Sequence, residues 1–412
     1  MIDLNLLRQD EQKARELILK KEPKFDIDRL ISLDTQVRDS RIELESLRKQ
    51  KNEFASAGAG GITPEIREKS IEIGKKIKST DKELEKIQKE FKELLLSCPN
   101  IPNPEIPEGN KESNKVVSTV GCKPEFDFTP QNHVELNEKV GWFDLQVAAK
   151  MSGSHFVFYK QMGAKVIYAL TRLMLKNNVK YGFSPVIPPY LIKEEGLVNS
   201  GNLPKFEGDF YKVQDGLCLI PTAEVSLTNL HADSILSVKE LPLKYTSWTS
   251  CFRREAGGYG ATDRGLIRIH QFEKVENYVL CEPEESYGQL DTMVKCSQEI
   301  LDQLGLHYRI SLLAAQDCSF ASAKTFDIEV WLPGQGQYYE VSSCSNCTDF
   351  QSRRAQIRYR KEKDSKPTLV HTLNASSLAL PRLMVALMET YQQEDGSIKL
   401  PKALQDILDG LW

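Results

Sequence analysis

No apolar run in this 412-residue chain approaches the ~20 residues that cross a bilayer. Its opening, MIDLNLLRQDEQKARELILKK, scatters acids and amides among the apolar residues and does not set a basic stretch before an apolar one. Neither a membrane span nor a signal peptide is expected. The nine cysteines follow no framework spacing, which points to a reducing, cytoplasmic compartment. Cys344-Ser-Asn-Cys347 has zinc-knuckle spacing, but a structural site takes four ligands and neither a second C-x-x-C nor a suitably spaced His pair follows, so no zinc is expected. An excess of one charge is also lacking: 54 Lys and Arg against 58 Asp and Glu leave −4, so a nucleic-acid partner would have to be met by a local basic surface. GxxxxGK[ST] and a strand-linked GxGxxG are absent, which argues against a P-loop or Rossmann nucleotide site. What remains, 40% hydrophobic and 27% charged, is the composition of a globular protein of two or three segments.

The first of these segments carries a strong period. Leu30, Leu33, Val37, Ser40, Leu44, Leu47, Lys51 and Phe54 alternate steps of three and four, the seam of a coiled coil. A Gly- and Ala-rich turn, Ala55 to Gly61, follows, and Thr63-Pro64-Glu65 supplies an N-cap with Pro at the first helical position. Ile66, Ser70, Ile73, Ile77, Thr80, Leu84, Ile87, Phe91 and Leu94 then form a second seam that can lie back on the first. The spacing predicts an antiparallel helical hairpin over about 26–97, each leg on the order of 45 Å long. Such an arm suits dimerisation, scaffolding or contact with a large partner; its outer lysines, Lys75 to Lys92, alternate with Glu as on any solvated face.

Proline and asparagine then dominate PNIPNPEIPEGNKES, which forbids helix and reads as a linker, residues 99–115, between an N-terminal domain of 1–98 and a third segment of 116–412. In that segment a helix over Gly163 to Asn177, short strand-like runs as far as Ser345, a helix over Val225 to Leu230 and a last helix over Ser377 to Tyr391 predict an α+β domain on an antiparallel sheet. Tyr245 to Tyr278 reads as a hairpin around a Gly-rich loop. On its second strand Arg268, His270, Phe272, Lys274 and Glu276 share parity, as do Arg253 and Glu255 on the first. At about 13 Å between Arg268, Phe272 and Glu276, a phosphate chain, a stacked base and an ammonium could be met in one line, which describes ATP beside an amino acid. A hydrated sheet face of alternating charges is the plainer reading of the same pattern.

CFRREAGGYGATDRGLIRIHQFEKVE resembles motif 2 of class II aminoacyl-tRNA synthetases, in the form found in bacterial-type seryl-tRNA synthetases. MGAKVIYALTRLMLKNNVKYGFSPVIPPYL is similar to motif 1, with Pro189 its dimer-interface proline, and HTLNASSLALPRLMVALMETYQQEDGSIKLP is similar to motif 3, with Arg382 its arginine. IPTAEVSLTNL and YYEVSSCSNCTDFQSRR resemble the serine and ATP signatures, and the hairpin completes a likeness that spans the chain.

The resemblance implies a role for each matching position. Thr222, Ala223 and Glu224 would contact serine, Glu224 and Glu276 would take its ammonium and hydroxyl, and Asn374 and Ser376 would close the pocket. Arg253 would bridge the substrate carboxylate and the α-phosphate, with Arg254 beside it; Glu255 would approach the adenine, Phe272 would stack on it, and Arg268 and Arg382 would hold the outer phosphates. Glu340 and Ser343 would hold Mg2+, with Val341 and Ser342 between them lining the nucleotide. Glu340 and Ser343 differ in parity, so they can meet one ion only if the strand ends or bulges there. For Thr222 and Glu224 a helix N-cap with a first-turn acid is the plain alternative, and His270 is expected to support the motif 2 face. Two departures stand out: Arg254 replaces a small residue, and NASSLALPR replaces NGSGLAVGR, so Ala375, Ser377 and Pro381 stand for three glycines.

The implied reaction has two steps. The serine carboxylate attacks the α-phosphate of ATP, aided by charge neutralisation from Arg253, Arg268, Arg382 and Mg2+; the terminal adenosine of a tRNA then takes the seryl group on its 3′-hydroxyl. The family further implies a homodimer whose arms bind the long variable arm of tRNA, that of selenocysteine tRNA included, without reading the anticodon and without a role for DNA or membrane. An amino acid:carrier-protein ligase would lack the arm, and a non-catalytic scaffold would have lost one of Arg253, Glu276, Glu340 or Arg382; this chain has all of them.

Overall fold

The computed structural model describes residues 1–57, 64–255 and 265–411. The turn from Gly58 to Thr63 and the motif 2 loop from Ala256 to Arg264 lie outside the described residues. The chain divides into two compact units, Ile2–Pro99 and Asn100–Trp412 with Met1.

In the first unit two short helices, Leu4–Gln9 and Glu11–Lys21, precede the long helices Ile27–Ala57 and Pro64–Leu96. Ala55 to Ala57, expected in the turn, complete the first long helix. The seam closes as its period predicts: Val37, Leu44 and Leu84 form a buried cluster against Ile77, Ile87 and Phe91. Arg29 with Glu90 and Arg48 with Asp81 tie the two legs at the surface, where such pairs add little stability. Arg8 donates to both carboxylate oxygens of Asp34 at 2.9 and 2.6 Å, fastening the short helices to the base of the hairpin.

The second unit is built on an eight-stranded sheet. Its strands in chain order are β1 Lys115–Val120, β2 Ser184–Pro185, β3 Leu243–Phe252, β4 Gln271–Cys281, β5 Tyr308–Leu312, β6 Lys324–Leu332, β7 Gln337–Thr348 and β8 His371–Ala379. Their order across the sheet is β1-β5-β6-β7-β8-β4-β3-β2, antiparallel throughout except that β2 lies parallel to β3. Helices Met162–Lys180, Ser286–Gln303 and Leu380–Thr390 bury one face, where Leu170, Met174, Met293 and Met384 meet Val275, Val279, Val341, Leu373 and Ala375. Side chains alternate across a strand, so Phe272, Lys274, Glu276, Asn374 and Ser376 come to the opposite face, which holds the site. The stretch 100–109 lies against this unit: Asn100 donates to the carbonyls of Ala321 and Cys347 at 2.8 Å each, and the amides of Ala315 and Gln316 donate to Pro107 and Gly109.

Two expectations need correction. The helix expected from Ser377 starts at Leu380 and is not the last, since Lys402–Asp409 follows it: His371–Ala379 is a central strand between β4 and β7, and Pro381 in the first turn suits a helix start. The motif 2 strands are shorter than parity reasoning required. β3 ends at Phe252 and β4 begins at Gln271, so Arg253, Glu255, Arg268 and His270 lie beyond the ladder; tertiary contacts, not alternation, bring them to the site.

Candidate active site

At the N-terminus of helix Ala223–Asn229, Thr222 is an N-cap whose Oγ1 accepts from the Glu224 amide at 3.2 Å. The same hydroxyl donates to Glu276 Oε2 at 3.0 Å and accepts from Lys274 Nζ at 2.8 Å. The plain N-cap reading therefore holds for Thr222, which also lines a cavity. Lys274 and Glu276 form an ion pair with only 7% and 1% of their side chains exposed, and removing one partner of such a pair costs about 3–5 kcal/mol. Glu224 Oε1 accepts from Gln351 Nε2 at 2.7 Å and Asn374 Nδ2 at 3.0 Å. Burial, and then the neighbouring Glu276, push the Glu224 carboxyl up to about 7. Gln351 is saturated, accepting from Tyr278 and Thr372 hydroxyls at 3.0 and 2.7 Å and donating also to the Ser200 carbonyl at 2.9 Å.

Two cavities meet here. One of about 320 Å³ is lined by Thr222, Glu224, Arg253 and Glu255, with Phe206 and Phe320 as apolar walls. The other, about 90 Å³, is lined by Arg268, Phe272, Lys274, Glu340, Ser376 and Arg382 and shares Arg253 and Glu255 with the first. The Arg253 guanidinium lies 5.2 Å from the Phe272 ring centroid, and its Nε donates to the Pro221 carbonyl at 3.2 Å. Glu255, at φ 52°, pairs with Arg268 at 2.7 Å. Arg382 Nη1 donates to the Glu340 carbonyl at 2.8 Å and to its carboxylate at 3.3 Å.

Arg268 arrives by a route that spacing did not show. His133 Nε2 accepts from the Leu266 amide at 3.1 Å, while its Nδ1 faces Glu389 at 3.1 Å, so the ring proton sits on Nδ1. Gly265 stands at φ 69°, where a Cβ would come within 2.2 Å of His133 Nε2, so only glycine fits. The Ile267 carbonyl accepts from Arg382, the His270 amide donates to the His155 carbonyl, and His270 Nδ1 donates to the Arg253 carbonyl at 3.0 Å. His270 thus braces the strand ends.

The bulge required at Glu340 exists. Ile328 pairs with Ser342 but Glu329 pairs with Glu340, leaving Val341 as the extra residue. Asp327 opposite Ser343 and Glu329 opposite Glu340 share a face, so the bulge turns Glu340 and Ser343 to one side. Val341 is part of the core and Ser342 is buried, so of that run only Glu340 and Ser343 offer side chains to the site face. Among the described residues no three His, Cys, Asp or Glu side chains are placed to hold a metal by themselves. The donors nonetheless suit Mg2+, which takes one or two carboxylates together with substrate phosphates. Asp327 Oδ1 is buried without a hydrogen-bond partner, and burial together with Glu340 pushes that carboxyl well above its ordinary range.

Of the remaining expected residues, Ala223 is buried in the first helical turn. Arg254 is exposed, with its guanidinium 5.7 Å from the Tyr211 ring, and lines neither cavity. Ala375, Ser377 and Pro381 are not among the residues with positive φ, so strand and helix geometry accept them where glycine is common. Cys344 belongs to the main core, whereas Cys347 packs with Phe320 and Phe350. Pro189 is exposed, and its carbonyl accepts from Ser226. Sequence reasoning missed Lys274 as a pocket residue, Gln351 behind Glu224, and His133. Only Lys274 had left a signal, its parity with Glu276.

Residues 1–102 match the seryl-tRNA synthetase N-terminal domain, and residues 206–391 match the tRNA synthetase class II core domain (G, H, P, S and T). The chain is 43% identical to a serine–tRNA ligase of Syntrophobacter fumaroxidans over 100% of its own length and 99% of the relative's. It is 44% identical to a serine–tRNA ligase of Pseudothermotoga lettingae, over 99% of each chain. The crystal structure of seryl-tRNA synthetase from Pyrococcus horikoshii complexed with ATP superposes with a TM-score of 0.94 at 35% identity, covering 99% of this chain and 98% of that one. A Glu224-lined pocket opening onto an arginine- and phenylalanine-lined one on an antiparallel sheet, in a chain that also carries a helical hairpin, agrees with these likenesses, and the chain belongs to the seryl-tRNA synthetase family of class II aminoacyl-tRNA synthetases.

Proposed function

We propose that this chain activates L-serine with ATP and transfers the seryl group to the 3′ end of serine tRNA, and of selenocysteine tRNA where the organism has one. The observation that carries this reading is the pair of cavities joined at Arg253 and Glu255. Thr222 and Glu224 line the first, Glu276 and Asn374 are hydrogen-bonded to them, Ser376 lines the second, and with the Ala223 backbone these groups would meet a small polar amino acid. A pocket built to hydrogen-bond a hydroxyl leaves buried polar groups unpaired when alanine enters, while threonine's methyl must be excluded by lack of room. In the second, Phe272 would stack on the adenine and Arg268 and Arg382 would hold the outer phosphates. Arg253, reaching both, holds the serine carboxylate in line with the α-phosphorus. The carboxylate is already an anionic nucleophile, so the residues position it and neutralise charge on the departing pyrophosphate. Glu340 and Ser343 would hold Mg2+, which when bound supplies further neutralisation of the phosphates.

Exposed Ile187, Tyr190, Tyr168 and Val179, all within the motif 1 stretch, support a homodimer through it, Pro189 included. The unit of residues 1–98 is read as the tRNA-binding domain, its hairpin contacting the long variable arm by shape and backbone. Residues 116–412 are read as the catalytic domain, in a cytoplasmic enzyme. Among the described residues no helix is long and apolar enough to cross a membrane.

Amino-acid-dependent ATP–pyrophosphate exchange, run without tRNA across all twenty amino acids, tests the site: serine alone should support it, and exchange with another amino acid would overturn the pocket. Deleting the hairpin should leave exchange within about twofold and abolish tRNA charging; charging that survives the deletion would remove the arm from tRNA recognition.

A further inference from the structure

Every group that Lys274 touches is one that the proposed reading assigns to serine. Its Nζ pairs with Glu276, donates to Thr222 Oγ1 at 2.8 Å and reaches Ser376 Oγ at 3.4 Å. Thr222 has nothing left to give: its one proton goes to Glu276, and its lone pairs take Lys274 and the Glu224 amide. A substrate ammonium cannot join Glu276 and Thr222 while Lys274 stays, because two cations a few ångströms apart in a dry pocket repel strongly. Nor can Lys274 leave without a new counter-ion, since a buried ammonium needs one. The substrate brings that counter-ion itself. Lys274 also lines the cavity on the nucleotide side, together with Arg253, which is the direction in which the serine carboxylate must point to reach the α-phosphate.

We propose that Lys274 is a placeholder cation: its ammonium occupies the substrate ammonium's place on Glu276 and Thr222, and on substrate binding it passes to the substrate's carboxylate. The inference rests on the serine reading of this pocket and adds to it a residue that selects for an α-carboxylate. An amino alcohol with the same ammonium and hydroxyl would expel Lys274 and leave it nothing to pair with.

The test uses the full-length protein and two probes, L-serine and serinol, which lacks the carboxylate, with affinities measured calorimetrically. Binding of serine by the parent chain comes first, and its absence would overturn the serine reading itself. With that in place, Lys274→Gln, which keeps a donor for Thr222 but no charge, should lose about tenfold or more in serine affinity and bind serinol as well as or better than the parent does. Equal losses for both probes would reduce Lys274 to a prop for Glu276, and no loss for serine would remove it from the pocket; either result overturns the proposal. A crystal structure of the unmodified protein with serine gives a second measurement that no folding defect can blur. Lys274 Nζ should lie within hydrogen-bond distance of the serine carboxylate, and finding it still on Glu276 would sink the idea.

Discussion

Glu224 and Glu276 are two carboxylates with one internal ammonium near them, and the cost falls on Glu224, pushed up to about 7 by burial and by Glu276. The folded chain therefore binds this proton more tightly than an unfolded chain with an ordinary carboxyl does. The associated stability is complete below the ordinary carboxylate range and is lost as pH rises through about 7. Glu224→Gln should match the parent's Tm at pH 5 and exceed it at pH 8, by the equivalent of on the order of 2 kcal/mol; identical differences at both pH values would return Glu224 to ordinary behaviour. Thr222, Glu224, Glu276, Asn374 and Ser376 could be named from residue type and motif likeness. Gln351 could not: it stands 127 residues from Glu224 and orients that carboxylate only because helix Phe350–Ala355 packs where it does.

At the scale of elements, the nucleotide side depends on a segment that belongs to no strand. Residues 265–270 are held by the buried His133 ring, by Arg382 and by the His155 carbonyl. His133→Ala removes the acceptor for the Leu266 amide, a loss of about 1–3 kcal/mol for a buried group. It should raise the KM for ATP several-fold in pyrophosphate exchange while the KM for serine changes less, because Arg268 serves only the second cavity. Equal changes in both would show that the ring supports the whole site. The bulge at Val341 acts in the same way on β7, turning Glu340 and Ser343 to one face by one inserted residue. Strand parity showed that a bulge was necessary; its position came from the pairing with β6, which the core on the other face sets.

At the scale of the whole molecule, the chain forms two units, a helical arm with a narrow apolar seam and an α+β unit whose sheet carries the candidate site on the face that helices Ala223–Asn229 and Phe350–Ala355 partly cover. The motif 1 stretch leaves Ile187 90% exposed, with Tyr190 exposed three residues on and Tyr168 and Val179 exposed on helix Met162–Lys180. Ile187→Asp should shift sedimentation from dimer toward monomer at micromolar protein without lowering Tm by more than about 0.5 kcal/mol equivalent, since the side chain is not packed within its own subunit. An unchanged dimer would place the interface elsewhere.

The hairpin, the α+β class and the family were legible in the sequence alone, because a 3–4 period reports which face of a helix is apolar and motif residues keep their spacing whatever surrounds them. Where the strands stop, where β7 bulges, how Arg268 reaches the second cavity and what Lys274 holds were decided by the tertiary structure. Those features depend on register between strands far apart in the chain, and register is set by how the buried face packs, which no local pattern records.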